Sequence, residues 1–308
     1  MKEKRNPASA SSIATVERET GFGKDTLRVW ERRYGFPRPA RDSNDERIYP
    51  ADQVERLRVI RRLIDGGFRP GNIVGEPLAQ LRARLRALER PRSSRPEEPA
   101  EARELLALLK SHDVLALRQR LEQMLMRLGL GRFVLEVVAP LTVTVGEAWT
   151  QGRIEIFEEH LYTEQIQHLL RQAIGPVARA GQAPRVLLTT LRGEEHQLGL
   201  LMAHACLSIE GAHCISLGLQ TPAAEIVRAV RAHGAHVVGL SFSSATQLRV
   251  ASAALADLRG RLDPRIAVWA GGSMWQRVRR KVDGVTCIAS LAGIPALVAE
   301  WRSVARMA

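Results

Sequence analysis

Glu194, His196 and Gly199 stand in the order Glu-x-His-x-x-Gly within TLRGEEHQLGLLMA. A histidine so placed can ligate a metal through one ring nitrogen while the other donates to a carboxylate, which fixes the tautomer and raises the ligand's basicity. The glycine would let a flat, bulky group approach the backbone. Read alone, the same residues equally describe a helix N-terminus carrying two favourable acids and a surface histidine. A second set is Trp149, followed after a glycine break by Glu159 and His160, in WTQGRIEIFEEH. These are either two walls of one pocket or the ends of two helices. Cys206, Cys214 and Cys287 contain no C-x-x-C pair, so neither a disulfide framework nor a thiolate metal cage is indicated. All three read as small buried hydrophobes.

The elements that must position these groups can be traced in the apolar pattern. From residue 185 onward, RVLLTT, HCISLGL, AHVVGLSF, RIAVWAGG and GVTCIA are short apolar runs, with helical patterns starting near Glu195, Pro222, Thr246, Met274 and Ile294. Strands alternating with helices imply a doubly wound, Rossmann-like or flavodoxin-like parallel sheet, whose ligands sit beyond the C-terminal ends of the strands. The loops after Thr190, Leu219, Ser241 and Gly272 are therefore the places to look for chemistry. Upstream, residues 103–178 show i, i+3, i+4 apolar spacing in four stretches, broken near His112-Asp113, Leu128 to Gly131 and Gln151-Gly152, which suits a four-helix bundle. A linker rich in Pro, Ser and charge, Arg86 to Leu105, precedes it, and a second join lies at Pro176 to Arg185.

The chain has 308 residues, 45% of them hydrophobic, and a net charge of +12 carried mostly by arginine. That size allows two or three domains, and the arginine excess suits phosphate recognition, making nucleic acid the first partner to consider. Near the N-terminus two helical patterns flank Gly21-Phe22-Gly23, and Lys24, Thr26, Arg28, Arg32 and Arg33 gather on the second. A polar turn at Ser43 to Glu46 followed by Arg47 and Tyr49 reads as a β-wing. Such a helix can enter a major groove while its basic residues meet phosphates. Trp30, with Leu27 and Val29 beside it, reads as core. No 18-residue apolar run and no signal peptide is seen, so the expectation is a cytoplasmic protein without a membrane span.

The stretch TLRVWERRYGFPRPARDSNDERIYPADQVERLRVIRRLIDGGF, Thr26 to Phe68, resembles the MerR-type winged helix-turn-helix, including its wing Arg-x-Tyr and the Gly-Phe after the third helix. That resemblance implies a dimer on an inverted-repeat operator of double-stranded DNA. One departure is Ile48 between Arg47 and Tyr49, where another Arg or a polar residue is frequent. Glu194-x-His196-x-x-Gly199, then Ser241 and Ser243, then Gly271-Gly272 resemble the cobalamin-binding αβ domain, with its Asp-x-His-x-x-Gly, Ser-x-Leu and Gly-Gly. The resemblance makes His196 the lower cobalt ligand, Glu194 its carboxylate partner, and Ser241 with the double glycine the lining of a slot for the displaced nucleotide tail. Glu replaces Asp, and Ser243 stands where Leu is usual.

Trp149, nine residues, then Glu159-His160 resembles the Trp-x9-Glu-His motif of the CarH and LitR photoreceptors, MerR-type regulators that use adenosylcobalamin. In that family the order is winged helix, bundle, corrin domain. It implies domains at 8–82, 103–178 and 183–308 with a linker at 83–102, Trp149 against the adenosyl group, and Glu159 and His160 contacting it or the closed bundle. It also implies a non-enzymatic repressor whose dark tetramer dissociates and leaves DNA in light. A histidine often follows the tryptophan in that family; here it is Thr150. The alternative reading is a MerR-like regulator that has lost adenosylcobalamin and answers to a partner protein or another tetrapyrrole. A corrinoid carrier or mutase subunit is disfavoured, because no segment is left to form a catalytic domain.

Overall fold

The computed structural model describes residues 11–307 apart from 43–44, 66–67, 90–99, 178–182, 244–245, 247 and 278–281. The tip of the wing turn, Gly67 and much of both joins lie outside the described residues. Contacts divide the chain into two compact units, Met1–Glu97 with Val145–Ile156, and Glu98–Thr144 with Phe157–Ala308.

The first unit opens with β1 (Ser11–Ser12), α1 (Ile13–Thr20) and α2 (Lys24–Tyr34). A hairpin of β2 (Ala40–Arg41) and β3 (Arg47–Tyr49) follows, then α3 (Ala51–Asp65), the single turn α4 (Pro70–Ile73) and α5 (Leu78–Glu89). Ser12 caps α1 by accepting from the Thr15 amide at 3.3 Å, and Gly21 ends it at φ 68°. β3 pairs antiparallel with β1 on one side and β2 on the other, so the wing is stitched to the start of the chain. Val16, Leu27, Trp30, Leu57, Ile60 and Leu63 are among the buried residues that form the core.

In the second unit α6 (Ala100–Lys110) and α7 (Val114–Arg132) lead into a π-helical turn (Phe133–Val138). α8 (Ala139–Thr150), whose residues from Val145 are grouped with the first unit, continues that run, and α9 (Ile156–Ile174) follows. The break expected near Leu128 to Gly131 is a bend rather than a loop. Gly129 leaves the helical region (φ 73°, ψ 162°), which a glycine tolerates, and the helix resumes at once. Joined this way, Val114–Thr150 is long and apolar enough to cross a membrane by length and composition, which qualifies the expectation of no span. Leu117, Leu121, Met124, Phe133, Val134 and Val138 within it are nonetheless buried in the protein.

The sheet is formed by β4 (Arg185–Thr189), β5 (His213–Gly218), β6 (Val237–Ser241), β7 (Ala267–Gly271) and β8 (Thr286–Ile288), all parallel in the order β5-β4-β6-β7-β8. Helices α10 (Leu198–Ile209), α11 (Ala223–His233), α12 (Leu248–Arg261) and α13 (Ile294–Met307) cover it. β6 is buried from end to end, as a central strand covered on both faces must be. The order reverses beside β4, so the crevice for a ligand opens between the loops after β4 and β6. α7 and the π-helical turn pack on α10. The helix expected from Met274 is a 3-10 turn, Ser273–Arg277, as far as the described residues go. Only Cys206 is buried; Cys214 is half-buried and Cys287 exposed, because β8 is an edge strand with an uncovered face.

Candidate functional site

At the crevice the central group is Glu194, 2% exposed. Thr190 shapes its loop: the Thr190 hydroxyl donates to the Glu194 carbonyl (2.8 Å) and accepts from the Gln220 amide (2.8 Å). Glu194 Oε1 accepts from the His196 amide (2.9 Å) and from His196 Nδ1 (2.6 Å). Glu194 Oε2 accepts from the Ser243 amide (2.7 Å), the Ser243 hydroxyl (2.9 Å) and the Thr246 hydroxyl. Burial alone would push this carboxyl up, but the donors from His196, Thr246 and Ser243 outweigh it and hold the group down at about 2. The carboxylate is therefore ionised, and His196 carries its proton on Nδ1. The His196 ring itself is 55% exposed. Its Nε2 is thus the atom with the character of a ligand, basic and turned away from the carboxylate.

Ser243, which stands where the motif usually has Leu, directs both its amide and its hydroxyl to Glu194. The Glu194 side chain thus reaches the loop after β6. Thr246 was not singled out as a site residue from the sequence, because its approach to Glu194 depends on strands brought together by the fold. A Cβ at Gly199 would lie 2.7 Å from Ser241 Oγ, so the glycine makes room for the serine. Ser241 is 7% exposed at the end of β6. Gly271 continues the sheet by accepting from the Phe242 amide at 2.9 Å, and Gly272 (φ 114°) passes so close that a Cβ would sit 1.9 Å from the Phe242 carbonyl oxygen.

Glu159 and His160 lie on the first turn of α9, and His160 Nδ1 donates to Glu159 Oε2 (2.8 Å) with the ring 69% exposed. Glu159 Oε1 accepts from the Thr163 hydroxyl (2.8 Å). The buried acid of this turn is instead the neighbouring Glu158, which accepts from His112 Nε2 at 3.0 Å. Trp149 and Thr150 end α8, in the stretch grouped with the other unit. The Trp149 indole nitrogen is buried with no hydrogen-bond partner among the described residues. The Thr150 hydroxyl donates to the Gly146 carbonyl at 2.7 Å.

On the N-terminal unit α2 buries Leu27 and Trp30, and turns Lys24, Thr26, Arg28, Arg32 and Arg33 outward. Trp30 packs on Phe22, ring centroids 4.7 Å apart, as core. Val29, expected to pack with it, is 44% exposed. Tyr49, expected at the DNA face, is fully buried in the core, because strand alternation turns it toward α1 and α2. Arg47 faces the same way, and its Nε donates to Glu31 Oε2 of α2 at 3.1 Å, tying wing to helix.

Among the described residues no group of three or more His, Cys, Asp or Glu converges on a metal position. One axial imidazole is nevertheless all that a macrocycle-held cobalt asks of the protein, and the Glu194–His196 pair fits that demand.

Residues 11–75 match the MerR HTH family of regulatory proteins, and residues 101–173 and 184–293 each match a B12 binding domain. The HTH-type transcriptional repressor CarA of Myxococcus xanthus is 33% identical over 242 residues, covering 75% of this chain and 75% of that protein. The repressor CarH of the same organism is 29% identical over 256 residues, covering 82% and 85%. Among solved structures, the monomethylamine corrinoid protein of Methanosarcina barkeri shares the fold over 64% of this chain and 96% of its own, with a TM-score of 0.51 at 13% identity.

Proposed function

Because the chain belongs to the family of MerR-type, B12-binding transcriptional repressors that includes CarA and CarH, we propose that it senses light through adenosylcobalamin and releases DNA when illuminated. The single observation that carries the cofactor reading is His196, fixed by a buried, ionised Glu194 at the switch point of the sheet. In this reading His196 Nε2 is the lower ligand of cobalt, and Ser241 with Gly271 and Gly272 shapes the wall beside the nucleotide tail. The orphaned indole N–H of Trp149 is the donor assigned to the adenosyl group, with Glu159 and His160 nearby in the motif. Bound adenosylcobalamin supplies a cobalt–carbon bond that light breaks. The protein needs no acid or base for that event. It has only to bind the dark and light forms with different affinities in two arrangements of its own helices, and the ratio of those affinities sets the size of the switch.

The proposed domains are those read from the sequence, and the protomers are proposed to pair on an inverted repeat, to form tetramers in the dark, and to work in the cytoplasm. The test is a desalted complex of the full chain with adenosylcobalamin, prepared in the dark. Corrin bands that survive desalting, change under green light and change together with the sedimentation coefficient are expected. Absence of retained bands would reject the reading in favour of a regulator that answers to another tetrapyrrole or a partner protein.

Thr150 shapes the light state. Its hydroxyl is engaged by the Gly146 carbonyl and is a poor partner for cobalt beside imidazole, so illumination is expected to give a water-ligated or slowly relaxing product. A spectrum of two imidazoles after light that persists in His160→Ala would contradict this.

For the DNA face, Arg28→Ala removes one exposed phosphate-binding charge and is expected to lower the salt slope of binding by about 1. Arg47→Ala breaks the Arg47–Glu31 tie and is expected to weaken binding with a smaller change in slope. Cobalamin uptake should be unchanged in both variants. Unaltered DNA binding by both, across a salt series, would overturn the assignment.

A further inference from the structure

Val29 is the one apolar side chain among the exposed residues of α2. Residues three and four apart share a helix face, so it stands at the centre of a patch flanked by Asp25, Thr26, Arg32 and Arg33, all exposed. Leu27 and Trp30 supply the buried stripe on the opposite side, so Val29 contributes nothing to the core. Helix propensity does not favour it either, since a β-branched residue is a poorer helix former than the Arg and Lys around it. Asp25 and Arg28 lean toward one another (3.4 Å), and Arg33 lies 5.3 Å from the Tyr34 ring centroid. The charged side chains thus surround the valine without covering it.

A helix presented to a major groove meets one apolar group there, the 5-methyl of thymine, and a short aliphatic side chain is its natural contact. We propose that Val29 is a specificity-determining residue that reads a thymine methyl in each operator half-site, while the arginines around it hold the backbone. This rests on the DNA-binding reading of α2 and adds to it a base and an atom. Phosphate contacts carry affinity without sequence information, so a helix that selects a site must also reach base edges, and a methyl contact is one way to do so.

The experiment uses the full chain with adenosylcobalamin in the dark. Duplexes are enriched from a random pool, and each thymine of the enriched half-site is then replaced singly by deoxyuridine, which removes the methyl and keeps the base pair. At one position the wild type should bind roughly four-fold more weakly, the ratio that burying a single methyl group gives. Val29→Ala should bind the thymine and uracil duplexes equally at that position, with an unchanged salt slope, and Val29→Thr, which keeps one methyl, should recover part of the discrimination. If no thymine in the half-site is sensitive, or if Val29→Ala keeps the sensitivity, the proposal is wrong although DNA binding stands. Failure to enrich any sequence would overturn the DNA-binding reading itself.

Discussion

His196→Ala is expected to abolish the absorption bands of a cobalamin carrying imidazole at its lower face, and to weaken cofactor retention by more than ten-fold. Removing a partner that only orients a ligand typically costs ten- to a hundred-fold in metal affinity, and His196 is the ligand itself in the proposed function. Because its ring is 55% exposed, the alanine variant should fold as the parent does, and thermal unfolding of the cofactor-free protein provides that control. Glu194→Gln should give the milder, second-order phenotype. The band positions would remain while retention falls, since the ring keeps a hydrogen-bonding neighbour but loses the ionised carboxylate that raises its basicity. Imidazole-type bands that survive in His196→Ala would move the lower ligand to another residue.

Gly272→Ala is expected to remove most of the stability of the sheet domain. Two costs combine. The backbone at φ 114° is a region that residues with a Cβ avoid, worth of order 1–3 kcal/mol. The added carbon would also lie 1.9 Å from the Phe242 carbonyl oxygen, a backbone atom held in place because the Phe242 amide donates to Gly271. Relieving that overlap means parting the ends of β6 and β7, so the total should exceed about 4 kcal/mol, against the roughly 5–15 kcal/mol that holds a typical domain together. Urea unfolding followed by circular dichroism would measure it. Gly271→Ala is the matched control: a Cβ there meets nothing closer than 3.7 Å, and a small effect is expected. Equal stability of the two variants would show that the loops adapt more readily than the close approach implies.

The parallel sheet was legible because each strand is a short apolar run followed by a helical pattern, and Ile294 marks the start of α13 to the residue. The winged helix was legible through its buried period, Leu27 and Trp30. What the sequence could not settle was which way single side chains turn. Tyr49 in a three-residue strand has no alternation long enough to define a face, and Val29 shares its neighbourhood with residues of both faces. Gly199 and Gly272 were visible as glycines, but what fills the space beside them, Ser241 in one case and the Phe242 carbonyl in the other, depends on strands brought together by the fold. The donors on Glu194 Oε2 come from positions 49 and 52 residues away, beyond any local pattern.

That last arrangement places two departures from the family motif in direct contact, with the Ser243 hydroxyl donating to Glu194. Aspartate at 194 would fall short of the Ser243 and Thr246 donors by about a bond length, and leucine at 243 would face the carboxylate with no hydroxyl to offer. The two positions are therefore expected to be coupled: the cost of Glu194→Asp combined with Ser243→Leu should differ from the sum of the two single costs, as a double-mutant cycle would measure. The orientation of His196 is in that sense set in part by a loop more than forty residues downstream.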